Sequence, residues 1–309
     1  MARLIAGLGT SHIPSIGVAL DAGKRDDPEW KPFFDGYEPA RDWIADAAPD
    51  VAVVIYNDHG LELSFQRTVP TFAVGAADRY APGDEGWGVR DIPAFDGAPD
   101  FSWHLIDMLV EEEFDPTICH ELDVDHGVQV PLELFWGRPD AWPVRIVPIA
   151  VNMLCFPIPK PGRCFRFGKV LGEAIRNWPG DEKFVVIGTG GLSHQLQGAR
   201  AGFNAPEADR AFLRDIAERP ETLAALSRED FVERFGSEGA ELIMWLVMRG
   251  ALDDAVRTVH AHYHVPVSMT GAGMIVMENE TVAGASGGER ASAEAAGSVQ
   301  AGRASARTA

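Results

Sequence analysis

His12, His59 and His194 share one placement along the chain: each lies just beyond a short apolar run that predicts a buried strand, namely Leu4 to Leu8, Val51 to Tyr56 and Lys183 to Ile187. The carboxyl edge of a parallel sheet is where ligand sites form, so three imidazoles there form a candidate centre. Any one alone reads more simply as a hydrogen-bonded loop histidine. Glu241 is the fourth candidate. It sits one turn into the segment Glu238 to Met248, which is apolar nearly all round and therefore predicts a buried helix. A buried carboxylate is costly unless it is paired or bound to a metal. Glu238, nearer the start, is accounted for by the helix dipole, and Ser237 is the expected N-cap. Two histidines and a carboxylate with open positions form the ligand set of non-haem Fe(II) oxygenases. His12, His59 and Glu241 would make that set, leaving His194 and His126 as acid–base groups near neutral pH.

His126 stands in an acidic turn, Asp123-Val124-Asp125-His126-Gly127, whose carboxylates are expected to orient its ring. A solvated turn histidine is an equally good reading of that segment. His260, His262 and His264 alternate along a predicted strand and so face one way. Neighbours at that spacing converge poorly, and an ordinary sheet strand is the better reading.

The elements that must position these groups alternate between strand and helix. Pro39 to Ala47, Phe101 to Glu113 and Phe165 to Trp178 carry helical patterns, and Pro143 to Val151 is a further strand. Residues 76 to 98, rich in Gly, Pro and Asp, predict a long surface loop. Pro206 to Leu252 is helical, and Val259 to Val265 and Ala272 to Met277 return to strand character. This order predicts an α/β fold in which a largely parallel or mixed sheet is flanked by helices, as a single catalytic domain over residues 1–282. Residues 283–309 hold almost no large apolar side chain and are expected to form a disordered tail.

Bulk properties narrow the partners. With 27 basic against 46 acidic residues the net charge is −19, which disfavours nucleic acid and anionic membranes. An anionic substrate would need a local cationic or hydroxyl partner. Three cysteines without a CxxC pair argue against a disulfide framework and a zinc knuckle, and suit a reducing cytoplasm. The opening residues do not read as a signal peptide, and no apolar run approaches the roughly 20 residues of a spanning helix. A soluble cytoplasmic protein is the expectation.

The motifs TSHIP (Thr10 to Pro14), YNDH (Tyr56 to His59), DEGWG (Asp84 to Gly88), DVDHG (Asp123 to Gly127), GTGGLSHQLQG (Gly188 to Gly198) and GSEGAELIMWLVMRGAL (Gly236 to Leu252) occur in one order over almost everything before the tail. In this the chain resembles the class III extradiol ring-cleavage dioxygenases, within them the catalytic β subunits that act on protocatechuate. The resemblance implies Fe(II) held by His12, His59 and Glu241, with His194 as catalytic base and His126 assisting proton transfer at the substrate. Ser268, in the stretch Tyr263 to Ser268, resembles a pocket-lining position. Asn57, Arg200 and Ser268 are the residues expected to contact substrate. The implied reaction is cleavage of a carboxylated catechol by O2, protocatechuate 4,5-cleavage first, with gallate or 3-O-methylgallate as alternatives. A small separate α subunit and a homo- or hetero-oligomer are the implied partners.

Two readings from other classes stand beside it. A His/His/Glu site with an open position also suits zinc hydrolysis, although no HExxH segment is present. A non-catalytic scaffold on the same fold is the other, and it would be expected to have lost one of His12, His59, His194 or Glu241.

Overall fold

The computed structural model describes residues 1–63, 68–266 and 270–280. Ser268 and the 283–309 tail lie outside them. The strands are β1 (Arg3–Thr10), β2 (Val51–Tyr56), β3 (Phe72–Gly75), β4 (Arg79–Tyr80), β5 (Phe95–Asp96), β6 (Thr117–Cys119), β7 (Arg145–Val151), β8 (Lys183–Thr189), β9 (Val256–His264) and β10 (Ala272–Asn279). The helices are α1 (Pro14–Asp21), α2 (Lys31–Asp35), α3 (Glu38–Ala47), α4 (Pro99–Glu111), α5 (His126–Trp136), α6 (Pro161–Asn177), α7 (Pro206–Glu218), α8 (Pro220–Ala224), α9 (Arg228–Phe235) and α10 (Leu242–Ala251).

Eight strands form one sheet in the order β6-β3-β7-β2-β8-β1-β10-β9. Its centre, β7-β2-β8-β1, is parallel, whereas β3 against β7, β10 against β1 and β9 against β10 are antiparallel. The sheet is therefore mixed. The β-branched runs of β2 and β8 are buried on both faces, as central parallel strands must be when helices cover both sides. One core lies under α1, α2, α3 and α5, the other under α4, α6 and α7 to α10.

Two local features bring α10 hard against the sheet. A Cβ on Gly9 would lie 2.3 Å from the Trp245 ring, and one on Gly188 would lie 3.0 Å from the Trp245 Cα. Without side chains at these points, β1 and β8 accept the helix at close range, and every residue of α10 is buried.

Some expectations shift. The 76–98 segment is more than a surface loop: it contains the β4–β5 ribbon, whose Tyr80 and Phe95 are fully buried. Ser237 does not cap α10. Its backbone is already helical, its hydroxyl donates to Glu238, and a 3₁₀ turn (Glu238–Glu241) precedes the helix. No helix among the described residues is long and apolar enough to cross a membrane.

Candidate active site

Three adjacent parallel strands, β2, β8 and β1, end at one edge of the sheet and hand over His59, His194 and His12. β1 and β8 stay in register to Thr10 and Thr189. The Thr189 hydroxyl lies 2.9 Å from His12 Nδ1, which leaves His12 Nε2 facing inward, 3.3 Å from Glu241 Oε2. Glu241 arrives from the other side, in the turn that feeds α10. Gly190 makes room for it: its φ of +135° is a glycine conformation, and a Cβ there would lie 2.8 Å from the Glu241 Cβ. The Gly191 N–H then donates to Glu241 Oε2 at 2.9 Å.

His59 completes the group. Its Nδ1 and its backbone N–H both donate to Asp125 Oδ2, at 2.8 and 2.7 Å, so its Nε2 faces inward, 3.9 Å from Glu241 Oε1. The His12 and His59 rings are 5.1 Å apart, centroid to centroid. His126 joins them at 3.9 Å from His59 and 5.6 Å from His12. Metal-ligating histidines commonly give their second nitrogen to a carboxylate or hydroxyl, which fixes the ring and its tautomer. His12 and His59 are both held in that way.

The electrostatics favour positive charge here. Burial opposes protonation of His59, but Asp125 and Glu241 outweigh it and raise the imidazole to about 10. Burial alone would raise Asp125 as well, yet the His59 charge brings it down to about 2. Glu241, also opposed by burial, is held well below the usual carboxylate range by His12 and His59. His12, whose burial is the dominant influence, is lowered. Two buried carboxylates facing converged imidazoles form a centre suited to a cation.

A cleft of about 150 Å³ opens over this centre, lined by His12, His59, His126, His194, Glu241 and Thr270 among others. His194 Nδ1 donates to the Leu192 carbonyl at 2.7 Å, which leaves Nε2 as a proton acceptor. None of the described residues lining the cleft is Lys or Arg.

The structure thus brings together His12, His59, His126, His194 and Glu241. Asn57 is adjacent but acts as a strut: its amide donates to Glu241 Oε1 at 3.3 Å and lies 3.1 Å from His59 Nε2. Arg200 does not line the cleft. Its guanidinium donates to the Val232 and Glu233 carbonyls in the last turn of α9 and stacks on Phe203 at 3.9 Å. A helix C-terminus attracts a cation, and this one holds Arg200 in a separate surface hollow.

Two orienting residues were missed. Asp125, expected to orient His126, instead serves His59 and caps α5 through the Gly127 N–H. The carboxylate on His126 is Glu85, 41 residues upstream: Oε1 lies 2.5 Å from Nδ1, and Oε2 accepts the His126 backbone N–H at 3.0 Å. The only trace of it in the sequence was its place in DEGWG. Glu85, Asp125 and His126 also lie close enough to suggest a second cation site, but the carboxylate oxygens already accept from these N–H groups.

Fold and site together define an α/β protein whose sheet carries a cation-stabilising histidine–carboxylate centre at its carboxyl edge. Residues 6–276 match the family described as the catalytic LigB subunit of aromatic ring-opening dioxygenase, and the chain belongs to that family. It is 39% identical over 196 residues to a gallate dioxygenase of Pseudomonas putida, an alignment covering 63% of this chain and 57% of that protein. It is 27% identical over 212 residues to a 2,3-dihydroxyphenylpropionate/2,3-dihydroxicinnamic acid 1,2-dioxygenase of Rhodococcus globerulus, covering 67% and 64%. A protein of the same description from a Mycobacterium species is 32% identical over 157 residues, covering 50% and 47%. The chain thus spans about half to two thirds of the length of these relatives. The crystal structure of an uncharacterized Escherichia coli K12 protein superposes with a TM-score of 0.54 at 13% identity, over 88% of this chain and 99% of that one, a likeness of fold.

Proposed function

We propose that the chain cleaves the ring of a carboxylated catechol with O2, using Fe(II) held by His12 Nε2, His59 Nε2 and the Glu241 carboxylate. One observation carries this reading: Glu241 is buried between two imidazoles whose outer nitrogens are already engaged by Thr189 and Asp125. Two nitrogens and one carboxylate with an open cleft above them suit ferrous iron. Bound there, the ion supplies chelation of the two hydroxyls and a route for electrons to O2.

The protein's own groups do the rest. His194, with its proton held on Nδ1 by Leu192, presents Nε2 to take a hydroxyl proton from the bound diol. His126, whose ring lies 3.9 Å from that of His59, offers a second nitrogen for proton transfer at the substrate ring. The Asn57 amide donates to Glu241 Oε1 and steadies that carboxylate. Thr270 lines the cleft, and the contact to the substrate carboxylate is assigned to Ser268 on the sequence resemblance alone.

Protocatechuate and gallate are the substrates to compare. The gallate dioxygenase relative favours a trihydroxylated ring, and both candidates carry the carboxylate that the dihydroxyphenylpropionate relatives' named substrate also has. The rim of the cleft exposes Leu154 and Leu196, and Trp87 is exposed on the neighbouring loop. These apolar side chains support a separate α subunit, or a second copy, closing over the site.

The test is O2 uptake by Fe(II)-loaded protein with each substrate, alone and with a candidate α subunit, alongside absorbance of the ring-opened product. Uptake matched to product is expected. Zinc retention with no O2 consumption would transfer the site to hydrolysis, and silence with a bound metal would leave a scaffold.

A further inference from the structure

His126 Nε2 is buried and has no hydrogen-bond partner, although its ring lines the cleft. Such an atom is either a defect or a group kept free for a ligand. The other side of the same ring is fully engaged. Glu85 meets His126 with both oxygens, one at Nδ1 and one at the backbone N–H, and the two side chains are only 8% and 6% exposed.

The loop that carries Glu85 is itself fixed. The Gly83 and Val124 N–H groups tie it to the segment entering α5 through the Val124 and Ala81 carbonyls. Asp84 Oδ1 accepts from the Gly86 and Gly88 N–H groups, at 2.9 and 2.8 Å. Both glycines have φ near +97°. Beyond them Arg90 is 2.5 Å from Glu133 of α5 and binds Asp21 of α1 through Nε and Nη2, at 2.9 and 2.8 Å. A carboxylate held this firmly can hold a ring in turn.

We propose that Glu85 is the positioning residue for His126: it keeps the proton on Nδ1 and presents the Nε2 lone pair to the cleft. Its backbone contact adds a constraint on angle that a single hydrogen bond would lack. Removing it frees the ring to rotate or to carry its proton on Nε2, and a proton there blocks acceptance from substrate. The consequence for turnover rests on the ring-cleavage reading. The consequence for the ring does not.

The experiment has two arms on the full chain. In the first, ¹⁵N-histidine spectra of metal-stripped protein are recorded for wild type, Glu85→Ala and Glu85→Gln, with His126→Gln to assign the signals. Wild type is expected as the Nδ1–H tautomer and Glu85→Ala as a mixture or as Nε2–H. Glu85→Gln, which keeps shape but only one acceptor, should fall between them and serves if the alanine variant fails to fold. In the second arm kcat should drop by roughly 100-fold in Glu85→Ala, with KM moving less than about threefold. The same loss should appear in His126→Ala, and combining the two changes should add little. An unchanged tautomer in both Glu85 variants, or losses that multiply, would overturn the proposal. Absence of turnover in wild type would sink the ring-cleavage reading while the tautomer result still decides the role of Glu85.

Discussion

Two sets of three histidines lie in this molecule, and only one makes a centre. His12, His59 and His126 come from the ends of β1 and β2 and the start of α5, more than 40 residues apart in sequence, yet their nitrogens lie within 4.8 Å of one another. His260, His262 and His264 are alternate residues of β9. The rings of His262 and His264 stack 6.4 Å apart, close to the roughly 6.6 Å that two strand residues impose, and His260 Nε2 is spent on the Gly36 carbonyl at 2.8 Å. The surroundings differ as sharply. Asp125 and Glu241 overcome burial to raise His59 to about 10, whereas burial, with His264 and His260 beside it, lowers His262. Convergence from separate elements, with buried carboxylates beside the rings, supplies what a cation site needs. Density of histidine along one strand does not.

That contrast can be broken at either end. Glu241→Ala should have the largest effect: metal content and turnover both lost, measured by elemental analysis and O2 uptake. His194→Ala should keep the metal and lower kcat by about 100- to 10,000-fold, since it removes only a proton acceptor. Wild-type activity with retained metal in either variant would contradict these roles. Asp125→Asn should weaken metal binding by about 10- to 100-fold, because the His59 tautomer is no longer enforced, and a chelator titration would report it. The double change His262→Ala/His264→Ala should leave metal content unaltered. Arg200→Ala should change KM by less than about twofold, as expected of a side chain occupied with the carbonyls of α9.

Much of the centre was legible before the fold was known, because His12, His59 and His194 each follow a β-branched or apolar run and such runs mark buried strands. Glu241 was legible because a carboxylate in an all-apolar helix demands a partner. Pairings across the chain were not. Asp125 meets His59 across 66 residues, and nothing local distinguishes that choice from its neighbour His126. Strand direction was equally hidden: β10 is as apolar as its parallel counterparts, and only its pairing with β1 reveals it as antiparallel. The ribbon within residues 76–98 escaped because Gly, Pro and Asp dominate its composition, while Tyr80 and Phe95, which bury it, are isolated in sequence. Arg200 looked like a substrate contact by proximity to His194. The carbonyls at the end of α9 that capture it belong to a helix more than 25 residues further on.

The most direct measurement is anomalous diffraction at the iron edge from crystals of the Fe(II)-loaded protein, grown without O2. A single peak between His12 Nε2, His59 Nε2 and the Glu241 carboxylate, with none along β9, is the result predicted here. A peak held by Glu85, Asp125 and His126, or by the β9 histidines, with nothing at Glu241, would contradict it.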